Sequence, residues 1–233
     1  MKSFVSVAAV VASVGLSSVA SAALVYGGGT QTGSRFNPGG TGTITYMNCF
    51  AATNNGETQL QLSDLAVGIR RIASGGALVD VGVNIYVAEL TYDGTNVGIG
   101  ASQMVYSTAS LGGGSASVTQ SVSTGALKGV VLNLETTALT GFGGFWVGVE
   151  FTGANGGNVA NGWRVIGAPT TGSSVNGFGM FNYQGNGSFD AFYTLGAGVD
   201  SRMMVDVNGT LVPAPGALAL LGLAGVAGSR RRR

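Results

Sequence analysis

Val81-Gly82-Val83-Asn84-Ile85-Tyr86-Val87 carries a branched aliphatic residue at every second position. Successive side chains of a strand point to opposite faces, so this alternation describes a β-strand with one buried face. The same period returns in Phe145, Val147, Val149 and Phe151, with Trp146, Gly148 and Glu150 on the other face, and again in Met203, Val205 and Val207. Further strands are expected over residues 43–47, 59–72, 97–107, 117–122, 129–134, 163–166, 177–183 and 189–195.

Glycine supplies 42 of the 233 residues, yet the chain is 45% apolar and has only four prolines. A disordered chain holds fewer aliphatic and aromatic residues than this, so the glycines are read as turns. Asn-Gly pairs at Asn55, Asn155, Asn161, Asn176, Asn186 and Asn208, together with Asp93-Gly94, provide the positive φ angles that tight hairpins need. No amphipathic helix interrupts the strands and no fixed-period repeat stands out. About ten or eleven short strands without helical crossovers point to an all-β domain of antiparallel sheets. The expected fold is an antiparallel β-sandwich of jelly-roll type, with a closed barrel as the other arrangement.

Both ends of the chain depart from this pattern. Met1-Lys2-Ser3 is a short positive region, residues 4–16 are mostly apolar, and Ala20-Ser21-Ala22 offers the small residues that a signal peptidase requires. Residues 1–22 are therefore expected to be a signal peptide cleaved after Ala22, and the protein is expected to be exported. At the other end Pro213-Ala214-Pro215 precedes residues 216–228, which are only Gly, Ala, Leu and Val, followed by Ser229 and Arg230, Arg231, Arg232 and Arg233. As a helix, residues 213–228 span about 24 Å at ~1.5 Å per residue, and arginine snorkelling extends that reach across the membrane core. The arginines are expected to hold their end in the cytoplasm. The domains are accordingly a signal peptide (1–22), a passenger (23–211) and a membrane tail (212–233).

Signal peptide, Gly-rich passenger, Val212-Pro213-Ala214-Pro215, short apolar helix and arginine cluster, in that order, resemble the PEP-CTERM proteins, bacterial exports whose tails are recognised by exosortases. This chain has Ala214 where the family's motif usually has glutamate. The resemblance covers about a tenth of the chain. It implies an exosortase-type membrane processing enzyme as partner, with cleavage near the proline motif and delivery to the cell surface or an exopolysaccharide matrix. An unprocessed membrane anchor is the alternative fate. No Leu-Pro-x-Thr-Gly sortase signal is present, and a tail ending in arginines does not suit a GPI signal.

Without the signal peptide and the four terminal arginines, six basic residues face ten acidic ones, a net charge of −4. Such a mildly acidic surface argues against a nucleic-acid partner, because that affinity depends on clustered Lys and Arg. The chain has no histidine, so Ser-His-Asp and Cys-His catalysis are excluded. The lone Cys49 is read as a small core hydrophobe. Glu57, Glu89, Glu135 and Glu150 are scattered rather than paired, and Glu150 is expected to be a solvated outward residue. Asp93, Asn96, Asn186, Asp190, Asp200, Asp206 and Asn208 sit in or beside expected turns and are read as turn formers, not calcium ligands. Gly27-Gly28-Gly29 and Gly112-Gly113-Gly114 open no helix and lack a nearby lysine, so they are loops rather than phosphate cradles. No catalytic, metal or cofactor residue is assigned. One binding hypothesis remains: Trp146, Trp163, Phe181, Tyr183, Phe189, Phe192 and Tyr193 concentrate in the second half, and an exposed row of rings stacks on sugars. Trp146 and Trp163 are the candidate glycan-stacking residues of a carbohydrate-binding module. The expected function is a non-enzymatic surface or matrix protein.

Overall fold

The computed structural model describes residues 22–29, 31–36, 42–51, 57–71, 78, 80–92, 97–112, 116–134, 143–153, 161–172, 180–183, 189–193 and 202–213. Among them are fourteen strands and no helix: β1 (Ala23–Tyr26), β2 (Gln31–Phe36), β3 (Ile44–Ala51), β4 (Glu57–Arg71), β5 (Gly82–Tyr92), β6 (Val97–Thr108), β7 (Ser117–Val122), β8 (Val131–Asn133), β9 (Gly143–Thr152), β10 (Asn161–Ile166), β11 (Met180–Tyr183), β12 (Phe189–Tyr193), β13 (Arg202–Met203) and β14 (Val205–Pro213). The expected signal peptide core (1–21) and most of the tail (214–233) lie outside the described residues.

The strands form two sheets, and every described pairing is antiparallel. The first has the order β1-β14-β4-β10-β13, with β2 on β10 and both β7 and β8 on β4. The second has the order β12-β11-β3-β9-β5-β6. One hydrophobic cluster draws on both sheets: Val83, Ile85 and Val87 of β5 and Phe145, Val147, Val149 and Phe151 of β9 pack with Leu60, Leu65, Val67 and Ile69 of β4 and Val205 and Val207 of β14. Those of β5, β9 and β14 are the alternating residues of the sequence, and all of these side chains are at most 1% exposed. Leu127 plugs the same core from the turn at residues 123–130, where Leu127 N–H bonds the Ser123 carbonyl at 3.2 Å.

Strand β4 changes phase partway. Leu60 and Leu62 face the core, and so do Leu65, Val67 and Ile69, which have the other parity. The pairing with β14 steps from Asn208↔Asp64 to Gly209↔Leu62, leaving Ser63 as the extra residue of a β-bulge. Gly209 is opposite because a Cβ there would stand 2.6 Å from the Gln61 carbonyl oxygen. Asn208-Gly209 therefore lies inside a strand, as does Asn161-Gly162 of β10, paired with Arg71 and Arg70. The expected hairpin role of these two pairs is corrected: glycine serves close backbone approach in the first, and the second is an ordinary ladder position. The other Asn-Gly pairs and Asp93-Gly94 lie outside the described residues.

Two strands escaped the periodicity reading. β1 is only four residues long, and β2, Gln-Thr-Gly-Ser-Arg-Phe, has no apolar alternation. The last strand also continues past the expected domain edge at 211: Val212 pairs with Gln59 and Pro213 with Glu57.

Candidate functional site

The expected processing elements meet the fold at one end of the first sheet. Ala22 is exposed and immediately precedes β1, whose Ala23 pairs with Gly209. β1 runs antiparallel to β14, so the start of β1 and the end of β14 at Pro213 point the same way. Pro213 is half-buried and extended. Ala20, Ala214, Pro215 and Arg230 to Arg233 lie outside the described residues.

The outer face of the second sheet holds a carboxylate gathered by three donors. On β9, the residues alternating with the core are as buried as the core itself, for residues 143–150 are buried without exception. Glu150 is 8% exposed. Its Oε1 accepts the Gly42 backbone N–H at 2.9 Å, and its Oε2 accepts Asn84 Nδ2 and the Tyr86 hydroxyl, each at 2.9 Å. The expectation of a solvated, outward Glu150 is thereby corrected: three donors, two from β5 and one from the turn before β3, replace the water that the carboxylate gives up. Burial and the bond to the Glu150 carboxylate push the Tyr86 hydroxyl up to about 12, so it remains a proton donor through the neutral range.

Glycine makes this face possible. Tyr46 of β3 is paired with Gly148 of β9, and Phe50 with Gly144. A Cβ on Gly148 would lie 2.6 Å from Tyr46 Cε1, and one on Gly144 would lie 2.8 Å from Phe50 Cε1. Each ring thus takes the space that a side chain on the paired glycine would occupy, an arrangement that covers the backbone a missing side chain exposes. Tyr46, Phe50, Ala88, Leu90 and Trp146 form a second apolar cluster with Ile44, Tyr86 and Ile99 packed against it. The Tyr46 and Tyr86 rings are tilted at 58° with centroids 6.5 Å apart, and the Tyr46 hydroxyl shares a 2.9 Å hydrogen bond with Ser102 of β6.

Neither candidate stacking residue is on a surface. Trp146 and Trp163 are both 0% exposed, and their indole N–H groups donate to the Gly98 and Met204 carbonyls, each at 3.0 Å. The glycan-stacking expectation for these two residues is corrected: both are core rings whose polar edge is satisfied by backbone. The side chains of Phe181, Tyr183, Phe189, Phe192 and Tyr193 lie outside the described residues.

The carboxylates stay apart. Glu89 accepts the Asn133 backbone N–H at 3.1 Å and its side-chain amide at 2.6 Å, tying β5 to β8 across the two sheets. Glu150 lies on the opposite face, so these two cannot flank one glycosidic bond. Asp206 accepts the Gly28 N–H at 2.8 Å, and Asn208 bonds Asp64 at 3.3 Å, both holding strands rather than converging on a point. Among the described residues no three acidic, Cys or His side chains cluster as metal ligands would. Cys49 is fully buried, and burial pushes its thiol well above the usual range. Arg71, 1% exposed at the end of β4, pairs with Asp80 at 3.8 Å and donates to the Gly112 carbonyl. Ser110 holds Asp80 from the other side and, with Val81 N–H and Arg71, lowers its pKa. This group pins the β4–β5 and β6–β7 connections together.

Sequence reasoning placed Glu150 on the correct face but missed its partners. Asn84 and Tyr86 were visible as the polar positions of the decisive stretch; nothing local linked them to a carboxylate 66 and 64 residues away. Compared with known proteins, the chain matches no family model, no curated protein and no solved structure.

Proposed function

We propose that the chain is an exported, non-enzymatic cell-surface or extracellular-matrix protein, a β-sandwich of jelly-roll type delivered by residues 1–22 and sorted through residues 212–233 by an exosortase-type membrane enzyme. The observation that carries this reading is the order of parts in the sequence: a signal peptide, then the passenger, then Pro213-Ala214-Pro215, an apolar run and four arginines. Two structural facts support it. The bond after Ala22 falls where β1 begins, and Pro213 continues β14 in extended form, as a fixed φ favours. Both ends of the described fold also open toward one side of the first sheet, which suits a passenger tethered there to a membrane.

Deleting Arg230 to Arg233 tests the reading. The expected result is altered membrane retention or altered mature mass of the exported protein. Unchanged fractionation together with unchanged intact mass would remove the sorting-tail assignment. The alternative, a carbohydrate-binding module acting on exopolysaccharide, draws no support from Trp146 or Trp163, since both are buried.

A further inference from the structure

Outside residues 1–22 and the four terminal arginines the chain has six basic residues, and five of them are arginines on strands of the first sheet: Arg35 on β2, Arg70 and Arg71 on β4, Arg164 on β10 and Arg202 on β13. Arg71 is turned inward against Asp80. The other four have the parity opposite to the core. Ile69 and Trp163 are core residues, so Arg70 and Arg164 beside them belong to the outer face. Arg35 is directly opposite Arg164, and Arg70 is opposite Gly162, which sets it diagonal to Arg164. Arg202 precedes the core residue Met203 and is opposite Ile166, at the margin of the group. Opposed residues stand about 4.5–5.5 Å apart at Cβ and diagonal ones about 7–8 Å, so these register positions gather like charges that repel. Arg70 and Arg164 are half-buried, and among the described residues neither has an ion pair or a side-chain hydrogen bond. The carboxylates on this face of β4 and β14 are engaged elsewhere: Asp206 accepts the Gly28 N–H at 2.8 Å and Asp64 accepts the Asn208 side-chain amide at 3.3 Å.

We infer that this face of the first sheet binds an acidic polysaccharide through the carboxylates of its sugars. The guanidinium fork matches a carboxylate with two parallel hydrogen bonds, and a bound anion relieves the repulsion that the sheet leaves uncompensated. The neighbouring side chains favour a sugar polymer as the source of that charge. Ser117, Thr119 and Ser121 of β7 are opposite Arg70, Gly68 and Ala66, and all three are exposed. They form a row of hydroxyls beside the arginines, able to donate to and accept from sugar hydroxyls. Half-buried Met204 fills the space over Gly68 between that row and Arg164. Trp163 is turned into the core, and among the described residues no aromatic ring shares the face with the arginines. Nucleic-acid bases therefore have no ring to stack on, and a protein partner has no aromatic anchor to grip. The inference rests on the first sheet and not on the sorting tail.

Retention of the full, exported chain on immobilised polygalacturonate, dextran and single-stranded DNA tests the assignment. Polygalacturonate is expected to retain the protein at low salt and to release it at about 0.5 M salt, whereas neutral dextran should not retain it. Arg70→Gln and Arg164→Gln are each expected to weaken retention about threefold, and the double variant about tenfold. Lys128→Gln removes the same charge from the exposed turn past the far end of β7, so it should leave retention unchanged. Urea unfolding of each variant separates loss of binding from loss of fold, and Arg70→Gln decides alone where Arg164→Gln does not fold. No retention of the unaltered chain, equal retention on dextran, an equal loss in Lys128→Gln, or stronger retention on DNA than on polygalacturonate overturns the proposal.

Discussion

Replacing Glu150 by alanine removes the carboxylate that gathers Gly42, Asn84 and Tyr86 on the outer face of the second sheet. A hydrogen bond to a charged group contributes about 1.5–3 kcal/mol when the donor is fully enclosed. Gly42 is exposed and regains water at almost no cost, while Asn84 and Tyr86 are half-buried and regain only part of it. Counting about 1 kcal/mol for each of the latter two, Glu150→Ala should cost about 2 kcal/mol, because relief of the carboxylate's own desolvation offsets the lost side-chain packing. For a domain of this size that is a fall in Tm of about 4–8 °C. Glu150→Gln keeps the volume, still accepts the Gly42 N–H, and can turn its amide toward the Tyr86 hydroxyl, so a loss of about 1 kcal/mol is expected. Urea unfolding followed by tryptophan fluorescence reads both, since Trp146 and Trp163 are buried in the folded state. A Glu150→Ala loss below about 0.5 kcal/mol, or Gln and Ala variants of equal stability, would refute a carboxylate held by three donors.

Other outcomes follow from the same face and its neighbours. Gly148→Ala should cost about 1–3 kcal/mol by overpacking, because its Cβ would meet Tyr46 Cε1 at 2.6 Å and Ile44 Cγ2 at 3.0 Å; pairing it with Tyr46→Leu should recover part of the loss in the same urea assay. Tyr86 titrates near its ordinary value of 10.0 when unfolded and at about 12 when folded, so its contribution is present below pH 10 and is lost as pH rises toward 12. Solvent screening at this half-buried ring keeps that loss to about 1 kcal/mol, and Tyr86→Phe should flatten the alkaline limb of a stability-against-pH curve. Trp146→Ala should destabilise by about 3–5 kcal/mol, through its cavity and the stranded Gly98 carbonyl, and should leave any polysaccharide retention of the still-folded protein unchanged.

The one-face rule of strands was legible in β5 and β9. Val83, Ile85 and Val87, and Phe145, Val147 and Val149, all reach the core that their alternation describes. What covers the other face was not legible, because periodicity divides a strand into two faces without saying which is wet. Glycine misled for a related reason. Composition reads it as a turn residue, yet Gly144 and Gly148 are places where a ring from the adjacent strand needs the space of a side chain. The Glu150 donors are assembled by pairing β5 beside β9 and by the turn at Gly42, contacts more than 60 residues apart in the chain. The β4 bulge was written in the spacing of Leu62 and Leu65, but only the Gly209 register turns that irregularity into a structural statement.

The position of β14 bears on what the proposed tail would transmit. Pro213 is both the first residue of the expected sorting motif and the last residue of β14. β14 pairs with β4 along its length and with β1 from Val207 to Gly209. A pull on the tail therefore enters the fold along a strand axis rather than at a strand edge, and the ladder bonds to β4 resist it together instead of opening one by one. Val205 and Val207, fully buried beneath that ladder, must leave the core before the strand can slide. In the proposed anchored state the passenger would be held by one of its better-buried strands. The short β1, with Ala23 exposed and the rest of its length beside β14, would then have little load to carry. Removing residues 1–22 by signal cleavage would leave that load path unchanged, because the path runs from Pro213 through β14 into β4 and includes no residue before Ala23.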